Sequence, residues 1–213
     1  MNYQTLTAAI LAESMRTDLT SQMPLFVSRA GEMIARELRA SEMLSRVSLG
    51  DADLVEPLVP GVYLLPDDWL EDRTIFYART PLRKLSPAAI GPLLGASFPV
   101  AYTVRGTSDG LVLEVGGSPG PGDTIDCDYF ARPADLVATT DTNRLLTNHP
   151  AVYTDAALFY LYRFTQDLEL AQAALDTWTH TRDTLNEQAG RFLAGSQAAP
   201  KYNLGRFKTG GRY

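Results

Sequence analysis

Three features of the 213-residue sequence predict an α+β fold. Apolar residues recur at helical spacing near both ends, the middle from about 43 to 129 is dense in Gly, Pro, β-branched and aromatic residues, and the last stretch has no period. The helical parts are remote in sequence and each has one apolar face, so the economical arrangement packs them into one α-helical bundle. The β-rich part is then a barrel- or sandwich-like insertion. The expected divisions are residues 1–41 and 145–195 for the bundle, 42–144 for the insertion and 196–213 for an extended C-terminal arm.

Leu6, Ile10 and Leu11 predict a short amphipathic helix over 3–14. From Pro24, Phe26, Ala30, Met33, Ile34 and Leu38 share one face while Arg29, Glu32, Arg36 and Arg39 lie elsewhere. Thr20 or Ser21 is the expected cap. The period then changes, with strands expected at 43–49, 61–65, 73–79, 98–105, 110–115 and 123–131. Gly106 and Gly110 bound the turn of the clearest hairpin, between Tyr102-Thr103-Val104 and Leu111-Val112-Leu113. In the last strand Ile125, Cys127 and Tyr129 face one way and Asp126 and Asp128 the other. Residues 86–94 suit a short helix interrupted at Gly91-Pro92.

The C-terminal helices organise the chain. Pro150 suits a first helical turn, where its missing N–H has no intrahelical partner. Residues 150–163 are apolar or aromatic on more than one stripe, so that helix is expected to be buried on several sides. Thr165 is the expected cap of a second helix running to about Gly195, roughly 40 Å long at 1.5 Å per residue. Its seam is Leu168, Ala171, Leu175, Trp178, Leu185, Ala189 and Phe192, interrupted by Arg182, with Asp176, Asp183 and Glu187 on the wet side. This seam fits either a core helix pair or a helix that also packs on another subunit.

Hydrophobic content of 45% with 21% charged residues marks an ordered globular chain. No apolar run reaches the length of a membrane span, and the N-terminus lacks the basic and apolar regions of a secretory signal. The single cysteine excludes an internal disulfide framework and suits a reducing cytoplasm. Residues 200–213 hold four basic side chains and no acidic one, which leaves residues 1–199 at −10 (the overall −6 less the tail's +4). So acidic a body argues against non-specific binding of duplex DNA over its general surface.

Chemistry-bearing residues are sparse. His149, His180 and Cys127 stand alone, without the clustering a metal site needs, and no cofactor signature is present. Asp67-Asp68 and Glu71-Asp72 flank Trp69; an acid–base pair is conceivable there, but a solvated turn with Arg73 as charge partner is the plainer reading. The glycines at 116–122 alternate with prolines and read as a β-turn, not a phosphate loop. No enzyme activity is expected. The arm differs, because Lys201, Tyr202, Arg206, Phe207, Lys208, Arg212 and Tyr213 interleave basic and aromatic side chains. Such a segment suits a groove on a protein partner, or nucleic acid bound by charge and stacking, or a terminus with no role.

Three pieces in order resemble the head-to-tail adaptor (connector) proteins of tailed bacteriophages. They are Asp18-Leu19-Thr20-Ser21-Gln22-Met23-Pro24 with Phe26 and the helix ending Ile34-Ala35-Arg36-Glu37-Leu38-Arg39; Leu64-Leu65-Pro66-Asp67-Asp68-Trp69-Leu70-Glu71; and Leu145-Leu146-Thr147-Asn148-His149-Pro150 with Tyr153 and Ala156-Ala157-Leu158. The resemblance covers residues 3–194 and carries no catalytic signature. It implies a structural virion protein made in the host cytoplasm, forming a homo-oligomeric ring, commonly of twelve copies, between the portal protein and a downstream tail or nozzle protein. Genomic DNA would pass through its channel without sequence-specific binding, and C-terminal segments would attach to the portal. The alternative class is a nucleic-acid-binding protein that uses the basic-aromatic arm.

Overall fold

The computed structural model describes residues 1–55, 61–94, 96–108 and 110–197, with side chains described through Arg191. Helix α1 (Tyr3–Ser14) opens with a reciprocal cap: Asn2 Oδ1 accepts from the Thr5 amide, and Thr5 Oγ1 accepts from the Asn2 amide, each at 2.9 Å. It ends at Met15, whose left-handed φ of 53° turns the chain. A 3-10 turn over Thr17–Gln22 runs straight into α2 (Met23–Glu37). Thr20 and Ser21 therefore lie inside that turn and are not the cap. The chain is already helical at Gln22, so no extended residue is available for side-chain capping.

Leu145 and Leu146 belong to a separate short helix, α4 (Arg144–Asn148), which Asn143 caps through the Leu146 amide at 2.8 Å. A break at His149 separates it from α5 (Pro150–Phe164), because a residue before proline is pushed out of the helical region. Helix α5 is packed by α1, α2, α4 and α6 (Leu168–Gln197), and its Val152, Tyr153, Ala156, Ala157, Leu158 and Leu161 are all buried. The expectation of burial on several sides describes it correctly. Thr165, in contrast, closes α5 by donating to the Tyr162 carbonyl at 3.1 Å. The N-terminal cap of α6 is Asp167, which accepts from the Leu170 amide at 3.2 Å after a left-handed Gln166.

The middle section forms two four-stranded sheets. In the first, β1 (Leu44–Leu49), β8 (Ile125–Ala131), β3 (Trp69–Tyr77) and β4 (Thr80–Pro81) lie in that order. In the second the order is β2 (Val62–Leu64), β7 (Gly110–Gly116), β6 (Ala101–Thr107), β5 (Arg83–Lys84). All pairings are antiparallel except that of β5 with β6. A short helix α3 (Pro87–Ile90) continues as a 3-10 turn over Gly91–Leu93. Leu49, Ile75, Ile125, Cys127 and Tyr129 of the first sheet and Tyr63, Tyr102, Leu113 and Val115 of the second share one core. Of the two expected forms, this is the face-to-face pair and not a closed barrel. The β1 and β2 edges are not bonded to each other, and Tyr63 of β2 pairs with Leu54 instead.

Strand β3 begins four residues earlier than expected. Register shifts between Trp69 and Glu71 and between Asp72 and Thr74 break the strict alternation by which a strand is read from sequence. Its hairpin with β4 turns on Ala78 and Arg79 alone, both at positive φ, as a two-residue connection requires.

Candidate assembly surfaces

Helix α6 carries the first candidate surface. Its 30 residues span about 45 Å at 1.5 Å per residue. Ala171, Trp178, Leu185 and Ala189 are buried and Leu175 is half-buried, so these side chains lie inside the subunit. Leu168 does not join them: at the helix start it is 74% exposed. Phe192 lies in α6, but its side chain is outside those described.

Arg182, which breaks the apolar series, is the electrostatic tie between α6 and α2. Its Nη1 donates to Glu37 Oε2 at 2.8 Å, its Nη2 meets Asp183 at 2.8 Å, and its guanidinium covers the Trp178 ring at 5.2 Å. Hydrogen bonds to Asp183 and Glu37 hold this guanidinium above its ordinary pKa against the desolvation that opposes them. Next to it Asn186 accepts from the Arg39 amide at 2.8 Å and donates to the Glu37 carbonyl at 3.3 Å, satisfying the backbone where α2 ends. The opposite face of α6 exposes Glu169, Asp176, Asp183 and Glu187.

A second surface escaped the sequence reading. Where α1 and α5 end and α2 and α6 begin, Met15, Leu25, Phe164, Leu168 and Leu170 are all exposed. Phe164 meets Phe26 edge-on at 5.5 Å, which joins the α5 end to the α2 start. Exposed apolar side chains at these helix ends make them a candidate contact surface. No periodicity could reveal them, because they cover the ends of four helices and not the face of one.

A third feature is charge. Between Arg73 and Ser108 the sequence has five basic residues and no acidic one, a local reversal within an acidic body. Lys84 pairs with Asp72 at 2.6 Å and Arg105 with Glu114 at 3.3 Å, whereas Arg73, Arg79 and Arg83 form no salt bridge among the described residues. A running charge count would have found it.

The carboxylates around Trp69 are dispersed by the fold. Asp68 accepts from the Tyr129 hydroxyl at 3.0 Å, Glu71 pairs with Arg39 at 2.9 Å, and Asp72 accepts from Tyr102 at 2.7 Å as well as from Lys84. Their partners are thus Arg39 and Lys84, not Arg73, and they tie the sheets to each other and to the helices. Cys127 is buried, and burial pushes its thiol up to about 12, with Asp126, Asp128 and Asp72 adding to the effect. His149 meets Glu42 at 3.2 Å, while His180 is exposed. Burial alone would raise the Glu42 carboxyl, but hydrogen bonds from its own amide, Ser41, His149 and Asn148 together hold it below the usual range. Among the described residues no group of three or more His, Cys, Asp or Glu side chains could hold a metal ion.

Asp155 on α5 is half-buried, and burial pushes its carboxyl from 3.8 up to about 6, with the Glu13 charge adding to it. Because the folded value is raised, the stability linked to its neutral form is complete below pH 4 and is lost as pH rises through about 6. Asp155→Asn should therefore stabilise the protein at pH 8 by about 1 kcal/mol, discounted for the half-exposed site, and leave it almost unchanged at pH 4. Urea midpoints of both proteins at the two pH values check this; an equal difference at both would contradict it.

The arm residues Lys201, Tyr202, Arg206, Phe207, Lys208, Arg212 and Tyr213 lie outside the described residues. No helix among the described residues is long and apolar enough to cross a membrane. No curated protein matches the chain. The model of a protein family does: the family described as SU10 adaptor protein matches residues 1–200.

Proposed function

The chain belongs to that family of phage head-to-tail adaptors, structural proteins of the bacteriophage, and from this premise we propose that copies of it form a ring, commonly of twelve, between portal and tail. The observation that carries the reading is the extent of the match, which takes in both helical parts and the whole β section. In this reading the terminal helices act as one bundle with the sandwich inserted in it. The exposed acidic face of α6 and the apolar end at Met15, Phe164, Leu168 and Leu170 meet neighbouring copies or the tail protein, while Ala171, Leu175, Trp178 and Leu185 keep α6 seated on its own subunit. An acidic body lets genomic DNA pass a channel without adhering. The virion is where the assembled protein resides.

The arm at 200–213 lies almost wholly beyond the matched residues and carries no acidic side chain. In this reading it docks on the portal protein. Purified protein mixed with portal-bearing, DNA-filled, tail-less heads should add ring density at a single vertex. Protein lacking residues 200–213 should fold and leave the vertex bare; normal assembly without the arm would overturn the docking role. Replacing the four basic arm residues by neutral ones separates the alternative, because loss of DNA binding with intact assembly would make the arm a nucleic-acid segment.

A further inference from the structure

The sandwich is open along one side. Strand β1 is an edge strand, bonded among the described residues to β8 alone. It is six residues long, its register with β8 runs unbroken from Leu44 to Leu49, and it contains neither proline nor bulge. Edge strands usually carry such protection, since their free N–H and C=O groups are a template for another strand. Beside this edge a cleft of about 330 Å³ opens between the two sheets. Apolar Val47, Leu49, Leu54 and Leu64 line it together with Asp53 and Asp67. Asp67 forms no salt bridge among the described residues. An edge without proline or bulge, beside a cleft lined by apolar and acidic side chains, fits one kind of occupant: an extended segment with basic and apolar side chains.

The chain itself supplies that segment. Residues 200–213 carry Lys201, Arg206, Lys208 and Arg212 and no acid. In an extended strand Tyr202 and Leu204 share one face and Lys201 and Asn203 the other. Position agrees with chemistry. Gln188 of α6 lines a groove with Ser41, Glu42 and Leu44, so the helix passes the first residue of β1 as it runs toward its end at Gln197. The 16 residues after Gln197 reach about 50 Å when extended, against about 20 Å for β1.

We propose that in the unassembled protein residues 200–213 of the same chain add as a strand to the free edge of β1, with Tyr202 and Leu204 over the cleft. The subunit thereby covers its own exposed edge and keeps the arm from unspecific contacts until a partner competes for it. Only that release rests on the portal reading; the contact itself does not, and it is tested on isolated protein.

The test is amide hydrogen exchange on three proteins: the full chain, the chain ended at Gln197, and the full chain with Tyr202→Asp and Leu204→Asp. Amides of β1 should exchange about ten-fold more slowly in the full chain than in the other two, while helix amides stay alike. Should truncation loosen the whole protein, the double substitution decides. Protection must also survive dilution, as a contact within one chain does. Equal β1 exchange in all three proteins would overturn the proposal, and protection lost on dilution would overturn the same-chain assignment by giving the cleft to a neighbouring copy's arm.

Discussion

Trp178→Ala is expected to destabilise the protein by about 3–5 kcal/mol, as deletion of a large core aromatic generally does. The indole is 1% exposed within the helical core, and Arg182 lies over its ring. Truncation would open a cavity between α6 and α5 and also remove the surface against which Arg182 is held for its bond to Glu37. Trp178→Phe should cost much less, about 1–2 kcal/mol. The smaller ring still fills most of the site, and the change removes a buried N–H, Trp178 Nε1, which has no hydrogen-bond partner among the described residues and is itself a penalty of about 1–3 kcal/mol. Urea unfolding of the two variants checks the order. If phenylalanine proved as damaging as alanine, the indole N–H would be making a bond essential to the fold.

Gly117→Ala should cost about 3 kcal/mol or more, combining overpacking with backbone strain. Gly117 sits at φ +121°, where an L side chain is strained, and a Cβ there would lie 2.4 Å from the Phe98 carbonyl oxygen and 2.7 Å from the Pro99 nitrogen. Both neighbours are backbone and cannot move as a side-chain tip would. The contact brings the end of β7 against the approach to β6, and Phe98 in turn packs edge-on against Tyr77 at 4.9 Å. Gly122→Ala is the control. It also has positive φ, 79°, but meets nothing within 4 Å, so its cost should be limited to the backbone term, about 1–2 kcal/mol. Thermal unfolding of the pair separates close approach from conformational strain; equal losses would mean that strain alone sets the cost.

The readable elements are those whose burial is uniform along their length. Phe26, Ala30, Met33 and Ile34 repeat as α2 repeats, and Ile125, Cys127 and Tyr129 alternate as β8 alternates, so one period gives both element and face. The start of β3 was hidden because two register shifts reset its alternation. The cap of α6 was misplaced by two residues because both Thr165 and Asp167 can accept an amide, and only the left-handed Gln166 between them decides which does. Arg182 looked like a fault in a seam because its partner Glu37 lies 145 residues away.

The succession of helices, β section and helices, the apolar faces of α2, α5 and α6, the acidic body and the basic-aromatic arm were determined by sequence alone, because period and charge are local properties of the chain. Only the tertiary structure decided that β1 is left as a sheet edge, that the carboxylates around Trp69 serve separate partners, and that apolar side chains stay exposed where α1 and α5 end and α2 and α6 begin. Each of these depends on which distant segments meet, and packing, not local preference, selects that.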